Sequence, residues 1–181
     1  MNNYRKITTI IALIFSAILG SCCSVEKPAT VKNFNPQKYM GTWFEIARLQ
    51  TSFQKGKFNS KAEYTLLDDN RIKILNSAEN SKGEITSAKA IAYAPDKTDF
   101  SKLRVSFFWP FYSDYLVLYV DKDYTTALVG GAGKRYLWIL SRTQNIDEIK
   151  LKEILQLAKS LGYDTSKLLF NSELNRQLNT N

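Results

Sequence analysis

The 181-residue chain has no histidine, and its only two cysteines, Cys22 and Cys23, stand side by side. Without histidine there is no Ser-His-Asp or Cys-His machinery, no histidine ligation of haem and no ordinary zinc site. The charge is +8, yet no block of Lys or Arg and no nucleic-acid motif carries it. The excess reads as a solvated surface with weak attraction for anionic lipid headgroups. No Gly-rich phosphate loop is present. Gly130-Gly131-Ala132-Gly133 lacks the following Lys-Ser/Thr and helix, and reads as a turn between strands. No repeat or second domain is visible. Ile7 to Leu19 is a mostly apolar run of 13 residues, short of the roughly 20 that a membrane-spanning helix needs.

That run follows Arg5 and Lys6, and together they read as a secretory leader. Leu19-Gly20-Ser21-Cys22 completes it and resembles the bacterial lipobox. The resemblance implies cleavage before Cys22, a diacylglycerol on its thiol and an acylated amino terminus. Cys23 fits that frame less well, and a plain soluble signal peptide is the alternative. One acyl chain anchors marginally, whereas two or three hold permanently. Cys23, and not Asp, follows Cys22. By resemblance to bacterial sorting, this directs the protein to the outer membrane of a Gram-negative envelope, on its periplasmic face. Removal of residues 1–21 leaves 160 residues with 23 basic and 17 acidic side chains, a net +6. With Cys22 acylated there is no internal disulfide, so the fold must rest on its core.

Residues 22–34 are expected to form the lipidated Cys and a loose tether, and 173–181 a polar tail. Asn35-Pro36 predicts an N-cap and a short helical turn. Alternating runs predict strands near Thr42–Leu49, Ser60–Leu67, Arg71–Asn76, Glu84–Tyr93, Lys102–Phe108, Tyr115–Asp121, Thr126–Gly130 and Tyr136–Arg142. Eight strands at this spacing suit an up-and-down barrel or a sandwich. One helix follows, over about 146–161, with Asn145 as its N-cap and Glu148 completing a capping pair. Leu151, Ile154, Leu155, Ala158 and Leu161 form its apolar stripe, and Gly162 ends it. Lys167 to Asn171 reads as a last short strand.

Two segments carry a resemblance. Lys38-Tyr39-Met40-Gly41-Thr42-Trp43 sets a Gly two residues before a Trp at the head of the first strand, and Tyr136-Leu137-Trp138-Ile139-Leu140-Ser141-Arg142 ends a late strand in Arg. A guanidinium stacked on an indole face gains roughly 0.5–2 kcal/mol. This arrangement, with "YTLLDDNRIKILN" and "VSFFWPFY", resembles the lipocalin family from about Val31 to Phe170. Ser113-Asp114-Tyr115 departs mildly from the usual Thr-Asp-Tyr. The resemblance implies an all-β fold over 35–172: an eight-stranded up-and-down antiparallel β-barrel with the helix packed outside. It makes Gly41, Trp43 and Arg142 a structural signature at the closed end. It places Tyr64 and Trp138 in a ligand pocket.

Alternation extends that inward face to Leu103, Val105 and Phe107, to Tyr115, Val117 and Tyr119, and to Tyr136 and Leu140. Phe44 and Ile46 are expected to face the helix. An eight-stranded barrel is just wide enough to fill with side chains or hold one small ligand. A tail of about a dozen methylenes would gain roughly 10 kcal/mol gross, reduced substantially by lost freedom. The resemblance implies a fatty acid or lysophospholipid as ligand, storage or transport for envelope maintenance, no cofactor and no metal, and leaves monomer and homodimer open. Phe108-Trp109-Pro110-Phe111-Tyr112 reads as an apolar loop, either at the open lip or folded over the barrel. Two other functions stay open. One is an enzyme acting on a lipid or isoprenoid, for which Glu45, Glu63 and the pocket tyrosines are the acid–base candidates. The other is a structural envelope lipoprotein with a filled barrel.

Overall fold

A computed structural model describes residues 27–171; the leader, Cys22, Cys23 and the tail lie outside them. The Asn35 side chain accepts from Lys38 N, and Pro36 opens a one-turn helix, α1 (Pro36–Tyr39). Pro suits that position because its missing N–H would have had no helical partner. Eight antiparallel strands follow: β1 (Gly41–Leu49), β2 (Phe58–Leu66), β3 (Ile72–Glu79), β4 (Ile85–Tyr93), β5 (Lys102–Phe108), β6 (Phe111–Val120), β7 (Thr126–Gly130) and β8 (Leu137–Ser141). Each pairs with the next, and β1 pairs with both β2 and β8, so the sheet closes into a barrel. Closure removes the edges that would otherwise recruit other chains. A ninth strand, β9 (Leu168–Phe170), joins the second half of β1, beyond its pairing with β2.

β6 begins at Phe111 rather than at the predicted Tyr115, because its aromatic run continues the ladder with β5 as far as Phe108–Phe111. The expected apolar loop is thus a two-residue turn, Trp109-Pro110. Bulges interrupt β1 between Glu45 and Ala47, and β6 between Val117 and Tyr119. One inserted residue reverses the face of everything after it. Two cores result. The interior core holds Trp43, Tyr64, Ile74, Leu103, Val105, Val117, Val129 and Leu140. The outer core is supplied by β1, β6, β7, β8 and β9 and faces a second helix, α2 (Glu148–Ser160).

The apolar stripe Leu151, Ile154, Leu155, Ala158 and Leu161 lies in that outer core. The N-cap is Asp147, not Asn145: its carboxylate accepts from Ile149 N and Lys150 N, both at 3.0 Å. A carboxylate there also complements the helix dipole. Gly162, at φ +81°, ends the helix, with Gly162 N donating to Lys159 O and Tyr163 N to Ala158 O. From β1 the outer core takes Ile46, Ala47 and Leu49, whereas the expected Phe44 is not part of it. The described part of the expected loose tether is fastened down. Lys27 pairs with Asp114 at 3.1 Å, Ser101 Oγ donates to Thr30 Oγ1 at 2.8 Å, and Val31 N donates to Val117 O at 2.9 Å.

Candidate functional site

One end of the barrel is plugged. Trp43 is fully buried, its indole N–H donates to Tyr39 O at 2.8 Å, and the Arg142 guanidinium lies 4.0 Å from its ring centre. Arg142 also donates to the carbonyls of Thr42, Lys38 and Met40 at 2.8 Å each, and of Tyr124 at 3.1 Å. Two chain segments, residues 38–43 and the β6–β7 loop at Tyr124, are thus tied to one planar cation that stays charged, although burial lowers its pKa. Gly41 sits beside it at φ +93°, where a Cβ would approach Arg142 Nη1 to 3.3 Å. The Gly of Gly-x-Trp is therefore required both by backbone conformation and by room for the guanidinium.

Above the plug, three tyrosine hydroxyls meet. Tyr115 Oη lies 2.7 Å from Tyr39 Oη and 2.9 Å from Tyr64 Oη. Burial holds all three phenols protonated: Tyr64 is pushed up to about 12, and Tyr39 and Tyr115 well above the usual phenol range. Protonated hydroxyls that satisfy one another make a polar but uncharged floor.

The walls above this floor contain most of the residues singled out by alternation. Tyr64, Leu103, Val105, Val117 and Leu140 are buried in the interior core, with Tyr115 and Trp138 packed against it. Tyr136 is half-buried and stacks on Trp138 at 5.9 Å and 9°. Phe107 ends the wall at the rim, 43% exposed. Tyr119 does not belong to this wall. The β6 bulge pairs it with Leu128, and it packs in the outer core. Further up, Ala88 and Ser113 face inward, in line with Ala90 and Tyr115, and both are exposed. Inward-facing yet solvent-reached residues mark this end of the barrel as open.

A polar cluster on the inner wall was not foreseen. The β1 bulge turns Arg48 inward, opposite Trp138, where it is 1% exposed. Arg48 is ion-paired with the buried Glu45 and donates to Gln54 O at 3.0 Å and Lys57 O at 3.1 Å. The Gln54 side chain donates to Glu45 Oε2 at 2.8 Å and accepts from the Trp138 indole at 3.0 Å. The buried Nε of Arg48 has no partner among the described residues. Nearby, Lys57 Nζ donates to the inward-facing Thr86 Oγ1 at 2.7 Å. Of the acid–base candidates, Glu45 is thus held by a cation and an amide. Glu63 sits on the outer wall opposite Leu75, bonded to Lys61 at 2.8 Å. No group of acidic or sulfur side chains among the described residues has the geometry of a metal site.

A lipocalin-like domain family model matches residues 34–173. The chain is a lipocalin. It is 37% identical over 171 residues to the outer membrane lipoprotein Blc of Escherichia coli, covering 91% of this chain and 96% of that one. It is 30% identical over 164 residues to apolipoprotein D of Macaca fascicularis, covering 87% and 85%. Among solved structures, insecticyanin from the tobacco hornworm Manduca sexta superposes with a TM-score of 0.65 at 22% identity, over 84% of this lipocalin and 86% of that chain. That last likeness shows the barrel alone. The family-model match begins beside α1 and ends just after β9, so it takes in the plug, the floor and both cores.

Proposed function

We propose that this lipocalin is a lipoprotein of the outer membrane, acylated at Cys22, that reversibly binds the tail of a fatty acid or lysophospholipid for envelope maintenance. The anchor reading is supported by the Leu19-Gly20-Ser21-Cys22 lipobox and by the name of the Blc relatives. Among the described residues no helix is long and apolar enough to cross a membrane. The tail-binding reading is carried by one observation. The inner wall above the tyrosine floor is mostly apolar and buried, broken by the Glu45–Arg48–Gln54 cluster, and is solvent-reached at Ala88 and Ser113. In this reading a single chain enters from the open end and stops at the floor, with no bond made or broken. Lys57, at the open half, has no carboxylate partner among the described residues and supplies a cation to an anionic headgroup. Against catalysis, both candidate carboxylates are engaged, Glu45 by Arg48 and Glu63 by Lys61.

The test is native mass spectrometry with lipid extraction on the domain from Val25 onward. Both cores close within residues 31–170, so this piece contains everything the fold packs. The expected result is a fatty acid or lysophospholipid near one per protein, lost in Trp138→Ala, which keeps its folded circular dichroism. A protein that carries no lipid and takes none up refutes the carrier reading and leaves the filled structural barrel.

A further inference from the structure

Six of the eight large apolar side chains that are exposed among the described residues stand at one end of the barrel. Phe107, Phe108, Trp109 and Phe111 flank the β5–β6 turn, Phe53 lies in the β1–β2 loop and Ile85 opens β4. Trp109 is 82% exposed and Phe108 80%. Single exposed apolar residues are ordinary, but a ring of them around an opening is not. The loops of that end are also basic. They carry Lys55, Lys57, Lys82, Lys134 and Arg135 against Glu84. The loops of the plugged end that join strands carry Asp68, Asp69, Asp96, Asp99, Asp121 and Asp123 against Arg71, Lys97 and Lys122. One end thus joins aromatic rings to cations, the composition that settles at the headgroup level of an anionic membrane. The other end lacks that excess of cations.

The path of the chain into the domain points the same way. Val31 is bonded to Val117 in the middle of β6, while Lys27 is bonded to Asp114, three residues from Phe111. The described chain therefore enters the domain, at Lys27, on the open half of the barrel. Cys22 is five residues before Lys27, a span of at most about 17 Å. The β5–β6 turn is about 10 Å from Asp114 along the strand, whereas the plugged end, beyond Val120, is more than about 20 Å away.

The geometry points to the open end as a bilayer-docking surface: the aromatic rim and its lysines seat on anionic headgroups, and the mouth of the barrel opens directly onto the lipid. The chain-path half of this inference rests on the lipoprotein reading above; the rim does not. In this orientation a tail passes between bilayer and barrel without crossing water, and the plugged end faces away.

Two measurements test it. First, the domain from Val25 onward is sedimented with vesicles of phosphatidylethanolamine and phosphatidylglycerol. The expected result is binding that Phe108→Ser/Trp109→Ser/Phe111→Ser weakens at least tenfold and that Lys55→Glu/Lys134→Glu/Arg135→Glu also weakens at least tenfold. These side chains are exposed, so both variants should melt like the parent, and uptake of dispersed fatty acid should be unchanged. Second, the acylated full-length lipoprotein is reconstituted in vesicles containing brominated lipid. The Trp109 contribution, taken as parent minus Trp109→Phe, should be strongly quenched. No vesicle binding by the domain, binding indifferent to the rim, or an unquenched Trp109 overturns the proposal. Rim-dependent vesicle binding by the domain, together with a Cys22 that mass spectrometry finds unacylated, upholds the docking surface and removes only the anchor. Loss of fatty acid uptake by the parent domain removes only the carrier reading.

Discussion

Removing either partner of the Glu45–Arg48 pair strands a charge inside the barrel. Both side chains are buried, at 5% and 1% exposure, so the survivor has almost no access to water. Breaking a buried ion pair from one side costs about 3–5 kcal/mol. In a domain of this size each kcal/mol lowers Tm by about 2–4 °C, so Glu45→Leu and Arg48→Met should each melt roughly 6–20 °C below the parent. Arg48→Met has a second effect, because Arg48 also holds the carbonyls of Gln54 and Lys57 and thereby the β1–β2 loop. The double variant Glu45→Leu/Arg48→Met leaves no charge behind. It should recover most of the loss, giving a coupling of at least about 2 kcal/mol in a double-mutant cycle. Urea unfolding followed by circular dichroism measures all four corners. Single variants that each lose under about 1 kcal/mol, or that simply add in the double, would show that the pair is effectively solvated and that the inner wall is not dry at this point.

Two further predictions concern the plugged end. The Tyr64 phenol titrates at about 12 in the folded protein, against an ordinary 10. Its contribution is therefore intact below pH 10 and is lost as pH rises from 10 through 12, where only the unfolded chain ionises. Tyr64→Phe should reduce the slope of stability against pH in that window by about 1.4 kcal/mol per unit, and an unchanged slope in denaturant titrations refutes the assignment. Gly41→Ala forces an L residue to φ +93° against Arg142 Nη1 and should cost about 1–2 kcal/mol; a Tm equal to the parent's would show that the plug yields without strain.

Much of the fold was legible because it depends on period and punctuation. β5 and β7 begin and end where the alternation placed them, and Gly162 stops α2 by the left-handed turn its position implied. What escaped depends on bulges and on distance. Ile46-Ala47-Arg48 reads as continuous strand with or without an inserted residue, so nothing local announces that Arg48 turns inward. The same holds at Leu118, where strict alternation carries Tyr119 to the wrong face. Gln54 lies on a short polar turn, and only closure of the barrel brings it to Trp138, 84 residues away. Asn145 and Asp147 both have cap-forming side chains. The choice between them is made where the chain leaves β8, three-dimensional information that the spacing to Glu148 does not contain.

The outer core is built by β1, β6, β7, β8 and β9 with α2, and takes nothing from β2, β3 or β4. Those three strands turn Lys61, Glu63, Lys73 and Lys89 outward, and much of their inner face is alanine: Ala62, Ala78, Ala88, Ala90 and Ala92. The barrel is therefore mechanically lopsided, with a buttressed back and a thin front. Amides in the buttressed back exchange only when both cores open, whereas those in the thin front need lose contact on one side alone. The front is the wall that gives when something bulky enters, and the one that an occupant stiffens.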